Sequence, residues 1–103
     1  MLNLFSKNNI PKDIIVKIKE DFGPNTDLVL DLIKKAIKKH DYIKTPRVIR
    51  CVIHLSNKDL EKFKESLNQA ITDPRDVMFW AEYTRQENEE PKRIKDFNEP
   101  FKN

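Results

Sequence analysis

Residues 46–83 read PRVIRCVIHLSNKDLEKFKESLNQAITDPRDVMFWAEY, and this stretch decides the fold. Apolar side chains recur along it at spacings of three and four, which is the period of one face of an α-helix. The stretch therefore predicts helices over residues 46–55, 58–71 and 74–86. The first of these is apolar nearly all round, which is typical of a helix buried at the centre of a domain.

Residues that favour helix starts precede each of these three helices. Thr45-Pro46 and Asp73-Pro74 each place a side chain suited to capping directly before a proline, which fits the first turn of a helix. Ser56 is followed three residues later by Asp59, an arrangement like a capping box. These pairs predict short connections, so that neighbouring helices pack against each other.

The same patterns upstream predict two more helices, over residues 11–22 and 27–40, separated by Gly23-Pro24. The sequence therefore predicts an all-α bundle of about five helices. In this prediction an N-terminal helix precedes two αα-hairpins, the first formed by 27–40 and 46–55. The predicted core consists of Ile18, Leu32, Ile33, Val52, Ile53, Leu60, Phe63, Leu67, Val77 and Ala81.

A polar segment follows the last predicted helix, so we expect a single helical domain over residues 1–90 and a C-terminal tail over 91–103. Ile94, Phe97 and Phe101 are spaced three and four apart in the tail. This spacing predicts a short helix that docks either on its own chain, against residues 74–86, or on a partner subunit.

Composition excludes several classes of function. A single glycine among 103 residues excludes the glycine-rich phosphate loops of nucleotide-binding proteins. No stretch approaches the 18 apolar residues of a membrane span. The single cysteine cannot form an internal disulfide, and the first residues lack the apolar core of a signal peptide. We therefore expect a cytoplasmic protein without membrane contact.

The stretch over residues 47–83 resembles a group of small uncharacterised bacterial proteins. The likeness lies in the opening RVIRC and in the close RDV…WAEY, about a third of the chain. It implies an all-helical bacterial protein and carries no activity with it.

Three polar residues, Arg47, Arg50 and His54, form one stripe along the apolar helix 46–55. Cations on a buried helix require partners, and Asp76 and Glu82 are the acids we expect, with Arg50 paired to one of them. One interpretation is that this set is a structural ion-pair network. The other is that it lines a groove that binds an anionic ligand or a partner's carboxylate.

Catalysis and metal binding find little support in the residues. Cys51 and His54 are three residues apart and lie on one helical face, as a cysteine–histidine dyad would require. A third orienting group cannot be identified, and a small apolar residue is expected at position 51 for packing alone. The other soft ligand is His40, and the carboxylates show no ligand-like spacing, so we expect no metal and no cofactor.

Two surfaces remain as candidates for binding. The aromatic residues Phe79, Trp80 and Tyr83 cannot all face one side of a helix. The favoured interpretation is that the helix is buried on two sides, with the tail covering the second. The alternative is that one aromatic stripe, together with Phe97 and Phe101 of the tail, forms a surface for a protein partner, either a second copy or another protein. Lys34, Lys35, Lys38 and Lys39, with Arg47 nearby, suggest a weak site for an anion or nucleic acid. The favoured hypothesis is a non-enzymatic helical interaction module, and the alternative is the anion or nucleic-acid binder.

Overall fold

A computed structural model describes residues 10–83 and 90–101 of the chain. It is mostly helical, and the described residues form no β-strand, which confirms the all-α prediction. The helices are α1 (Lys12–Phe22), α2 (Thr26–Lys39), α3 (Pro46–Ser56), α4 (Leu60–Thr72) and α5 (Pro74–Glu82). Short 3-10 turns over Gly23–Asn25 and Asp41–Lys44 join α1 to α2 and α2 to α3. No helix within the described ranges is both long and apolar enough to cross a membrane.

The predicted end of one helix and the predicted start of another are confirmed at two of the connections. Gly23 ends α1 with a φ of +47°, a conformation that glycine adopts without steric cost, and its N–H donates to the carbonyl of Lys19. Asp73 caps α5, because its carboxylate accepts the N–H of Arg75 at 3.0 Å. The sequence thus marks these two boundaries to within a residue.

The connection between α3 and α4 differs from the predicted one. Ser56 is buried in the last turn of α3, where its hydroxyl donates to the carbonyl of Val52, so it caps nothing. Asp59 caps α4 instead, by accepting the N–H of Lys62 at 3.0 Å, and α4 therefore begins at Leu60 rather than at 58. Asn57, with a φ of +48°, ends α3, as expected of a side chain that tolerates the left-handed region.

Helix α3 lies at the centre and packs chiefly against α4 and α5, which also pack on each other. The predicted hairpin of the second and third helices is wrong, because α2 packs mainly on α1. The 3-10 turn Asp41–Lys44 contacts both α2 and α3, and its buried Ile43 fills the space between them. This turn, with its own core residue, therefore separates α2 from α3, whereas a short loop would have let the two helices pack against each other.

The predicted core is confirmed at eight of its ten positions, which are buried; Leu32 and Leu60 are half-buried and pack against that core. Phe63 has no exposed surface, and its ring lies at 67° to the ring of Phe22 with a centroid distance of 5.7 Å. Cys51 is fully buried among the apolar residues.

The residues described after α5 are not helical. The prediction extends this helix to residue 86, but α5 ends at Glu82, and residues 84–86 lie outside the described part of the chain. Tyr83 is extended and forms an isolated antiparallel bridge with Arg93. The C-terminal segment, residues 90–101, contains no helix, so the short helix predicted after Pro91 is wrong. Proline at 91 and 100 and the turn at Phe97-Asn98 suit an extended segment better than a helix.

Candidate functional site

The C-terminal segment is held on the helices at two carboxylates, and the first of them is Glu82. This side chain has no exposed surface. It accepts hydrogen bonds from the guanidinium of Arg47, from the N–H of Phe97 at 2.9 Å and from Arg93 at 3.4 Å. The backbone carbonyl of Glu82 also accepts the N–H of Ile94 at 2.6 Å. One buried acid thus joins α3, the end of α5 and the C-terminal segment.

The second carboxylate is Asp13 in the first turn of α1. Arg50 donates to both of its oxygens, at 2.9 and 3.0 Å, and the N–H of Phe101 donates to Oδ2 at 3.0 Å. Arg50 also donates from Nη1 to the carbonyls of Phe97 and Asn98, at 3.0 and 3.3 Å. Arg50 is 6% exposed, so water cannot replace these acceptors in solvating the charge of its guanidinium.

The prediction that Arg50 pairs with Asp76 or Glu82 is therefore wrong. Asp76 is half-buried and accepts a hydrogen bond from Gln69 at 3.0 Å. Glu82 instead binds Arg47, which lies one turn before Arg50 on α3. The spacing of α3 identified the polar stripe, but it could not decide which arginine faces α5 and which faces α1.

His54 completes the stripe beside the C-terminal segment. Its ring lies 5.1 Å from the ring of Phe97, which is 7% exposed and in turn lies 6.1 Å from Phe101. The residue as a whole is exposed, but partial desolvation of its imidazole lowers the pKa of His54, and the charges of Lys95 and Lys17 lower it further. A cleft of about 590 Å³ opens next to this contact, between the segment and the ends of α1 and α3.

The hydrogen bonds set the ionisation of both anchoring acids. Bonds from Arg50 lower the pKa of Asp13 below its ordinary value, against the effect of burial. Burial by itself raises the pKa of Glu82, but the bonds from Arg47 and from the N–H of Phe97 outweigh it, so its pKa also lies below the ordinary value. Both groups are therefore charged in the folded protein at neutral pH.

We expect the anchoring acids to make the fold sensitive to acid. Because their pKa values are lower in the folded than in the unfolded chain, they stabilise the fold above the unfolded values of 4.5 for Glu82 and 3.8 for Asp13. This stability is lost as the pH falls through the lower folded values. Urea unfolding at about pH 7, 5 and 3.5 measures the effect. The Glu82→Gln variant should lose less between the last two conditions, and an equal loss would contradict the assignment.

The cysteine–histidine pair is arranged unfavourably for nucleophilic chemistry. Burial raises the pKa of Cys51 to about 12, and the charge of Glu82 contributes to the same shift. The thiol therefore stays protonated at neutral pH, whereas an activated nucleophile requires a thiolate. Among the residues that the structure describes, His, Cys, Asp and Glu side chains form no group of three or more that could hold a metal ion.

The lysine cluster and Arg47 differ in exposure and in their partners. Lys34, Lys35, Lys38 and Lys39 are all exposed on α2, and Lys35 forms an ion pair with Asp31 at 3.1 Å. Arg47 is instead engaged by Glu82. The structure therefore leaves the lysines on the surface and commits the arginine to an internal ion pair.

An aromatic ridge, Phe79, Trp80 and Tyr83, lies on α5 and just beyond it. Phe79 and Trp80 are 39% and 38% exposed, and the rings of Phe79 and Tyr83 stack at a centroid distance of 5.2 Å. The opposite face of α5 holds the buried Val77, Ala81 and Glu82. The tail residues predicted to cover α5 lie elsewhere: Phe97 packs beside His54, and Ile94 is 58% exposed.

Sequence reasoning missed two residues of this site, Asp13 and Arg93. From the sequence alone, Asp13 is only an acid in the first turn of a predicted helix, a position that the helix dipole favours. Arg93 bonds Glu82, Asp96 and the carbonyl of Lys95, so it orders the segment on which it lies. Asp13 could have been identified from the sequence, because the two cations of α3 require acids and Asp13 is an acid near the apolar face of α1.

No protein-family model matches the chain. No curated protein matches it, and no solved structure matches it.

Proposed function

We propose that the protein is a non-enzymatic helical interaction module that binds a protein partner through the aromatic ridge of α5. The observation that carries the proposal is the pair of exposed rings, Phe79 and Trp80, on a helix that its buried face fixes in place. Rigid aromatic side chains supply large contact areas at low entropic cost and are enriched among the residues that dominate binding energy.

The neighbouring contacts support this proposal. Stacking on Tyr83 fixes the ring of Phe79, which reduces the entropy lost on binding. The buried, protonated thiol of Cys51 supports a non-enzymatic role, and a single unpaired cysteine is compatible with the reducing cytoplasm that we propose as its compartment.

The first expected result is that position 79 contacts a partner and position 28 does not. Leu28 on α2 is 41% exposed and apolar, so it is a control matched to Phe79 in exposure. A photo-crosslinking amino acid is placed at either position of the full chain in the cells of origin. We expect a discrete cross-linked product from position 79 alone, at twice the mass of 12.3 kDa if the partner is a second copy.

Affinity gives the size of the effect. With the partner identified by the cross-link, the Phe79→Ala variant should weaken binding by about 2 kcal/mol, roughly thirtyfold in Kd. Leu28→Ala should leave the Kd unchanged. Equal cross-linking from both positions, or equal affinities, would contradict the ridge as the binding surface.

The alternative proposal is an anion or nucleic-acid binder that uses the lysine cluster. Its support is that Lys34, Lys35, Lys38 and Lys39 are exposed together at the C-terminal half of α2. Arg47 no longer belongs to this site, since Glu82 engages it. Retention on heparin that falls steeply with salt, and that is lost when Lys34 and Lys38 become glutamate, would favour this alternative.

A further inference from the structure

Among the described residues, 93–101 supply a continuous set of contacts that hold the C-terminal segment. Arg93 and the backbone N–H groups of Ile94 and Phe97 bind Glu82. At the other end, the carbonyl of Phe97 binds Arg50 and the N–H of Phe101 binds Asp13. The acceptor and donor groups that receive the segment belong to α1, α3 and α5, and we call this surface the docking face.

The docking face selects for an extended segment of particular chemistry. Glu82 and Asp13 each accept a backbone N–H, while Arg50 donates to two successive carbonyls, so the backbone must pass in one direction and at one register. The site beside His54 takes an aromatic ring, which Phe97 supplies. Residues 93–101 of this chain meet all of these requirements.

A single connection joins the segment to the domain. Residues 84–92 separate Tyr83 from Arg93, which form the antiparallel bridge at the base of the segment. The contacts just described are made by residues beyond this connection. A segment of the same sequence from another copy could therefore make each of them without any new surface, which is the condition for exchange of an identical element between subunits.

We propose that residues 93–101 exchange between two copies of the chain, so that each copy's docking face binds the segment of the other. The partner is a second copy because its segment carries the backbone register and the aromatic ring that the docking face requires. The connection sets the effective concentration of a copy's own segment. Exchange therefore prevails at high protein concentration, or where a chain's own segment cannot dock. This inference is independent of the aromatic ridge and of the function proposed for it.

Complementary full-chain variants test the exchange. The first variant, Phe97→Ala with Phe101→Ala, keeps the docking face and weakens the segment. The second, Arg50→Ala, keeps the segment and weakens the docking face. Each variant alone should be a monomer near 12.3 kDa by light scattering, and the equimolar mixture should contain a 1:1 complex of about twice that mass.

A matched control fixes the meaning of this result. The second variant with Phe97→Ala added has neither a competent segment nor a competent docking face, so its mixture with the first variant should stay monomeric. A complex in this control, or none in the original mixture of two folded variants, would overturn the proposal.

The wild-type chain provides a second measurement, in case Arg50→Ala does not fold. Refolding from denaturant at about 1 mM should yield a dimer fraction several times larger than refolding at about 10 μM. The Phe97→Ala, Phe101→Ala variant should show no such difference. A wild-type chain that refolds as a monomer at both concentrations would contradict the exchange.

Discussion

Replacement of Arg50 by alanine should destabilise the fold by about 3–5 kcal/mol, the loss typical of removing one partner from a buried ion pair. The side chain of Arg50 is 7% exposed and that of Asp13 is 19% exposed, so water cannot replace the lost bonds in full. The variant removes both guanidinium bonds from Asp13, and leaves the carbonyls of Phe97 and Asn98 without their guanidinium donor. Urea unfolding at neutral pH measures the difference.

Arg75 provides the matched control for this experiment. It binds the carboxylate of Asp73 through Nε and Nη2, both at 3.0 Å, which is nearly the same paired geometry as that of Arg50 on Asp13. Its side chain is 84% exposed, and an exposed pair of this kind contributes little because water solvates both charges. Arg75→Ala should leave the unfolding midpoint unchanged. If both variants lose equal stability, the burial argument for Arg50 is wrong.

The helices and most of the core could be predicted because both depend on local information. The period of apolar residues places a face of each helix inward, and Gly23 and Asp73 act on their own backbone neighbours. Ser56 shows where the local rule misleads, because its spacing to Asp59 resembles a capping box. The hydroxyl instead turns back to the carbonyl of Val52, within the last turn of α3.

The partners of the arginines could not be predicted, because they depend on how distant segments pack. Arg47 and Arg50 are three residues apart and share one side of α3, yet Arg47 reaches Glu82 at the end of α5 and Arg50 reaches Asp13 at the start of α1. The sequence separations are 35 and 37 residues, and no local pattern distinguishes them. Both arginines of the stripe bind acids, but Arg50 binds neither of the acids predicted for it, and His54 packs against Phe97.

The path of the C-terminal segment illustrates a second limit. Ile94, Phe97 and Phe101 have helical spacing, but backbone groups rather than a shared apolar face determine how the segment lies. Glu82 and Arg50 bind N–H and C=O groups that a helix would have used internally, and the prolines at 91 and 100 limit helix formation between them. A spacing of three and four indicates a helix only where the backbone can make the internal hydrogen bonds of a helix.

Truncation of the chain after Glu90 should lower the free energy of unfolding by about 2 kcal/mol. The loss comprises the burial of Phe97, worth about 1.5–3 kcal/mol, and the backbone bonds to Glu82, Asp13 and Arg50. The conformational entropy regained by the residues of the segment offsets part of this. For a domain of this size, the net loss corresponds to a decrease in Tm of roughly 8–16 °C.

Two point variants in the full chain show whether docking, rather than chain length, causes this loss. Phe97→Ala should reproduce most of the decrease in Tm, because its ring is 7% exposed and packs against His54. Ile94→Ala should leave the Tm unchanged, because that side chain is 58% exposed although its N–H binds the carbonyl of Glu82. An unchanged Tm in the truncated chain would mean that the segment contributes nothing to stability. Truncation removes Arg93 and the N–H of Phe97, so that Arg47 is the one partner described for Glu82 that remains. Because a buried carboxylate that loses partners is destabilised, we expect the Tm to decrease.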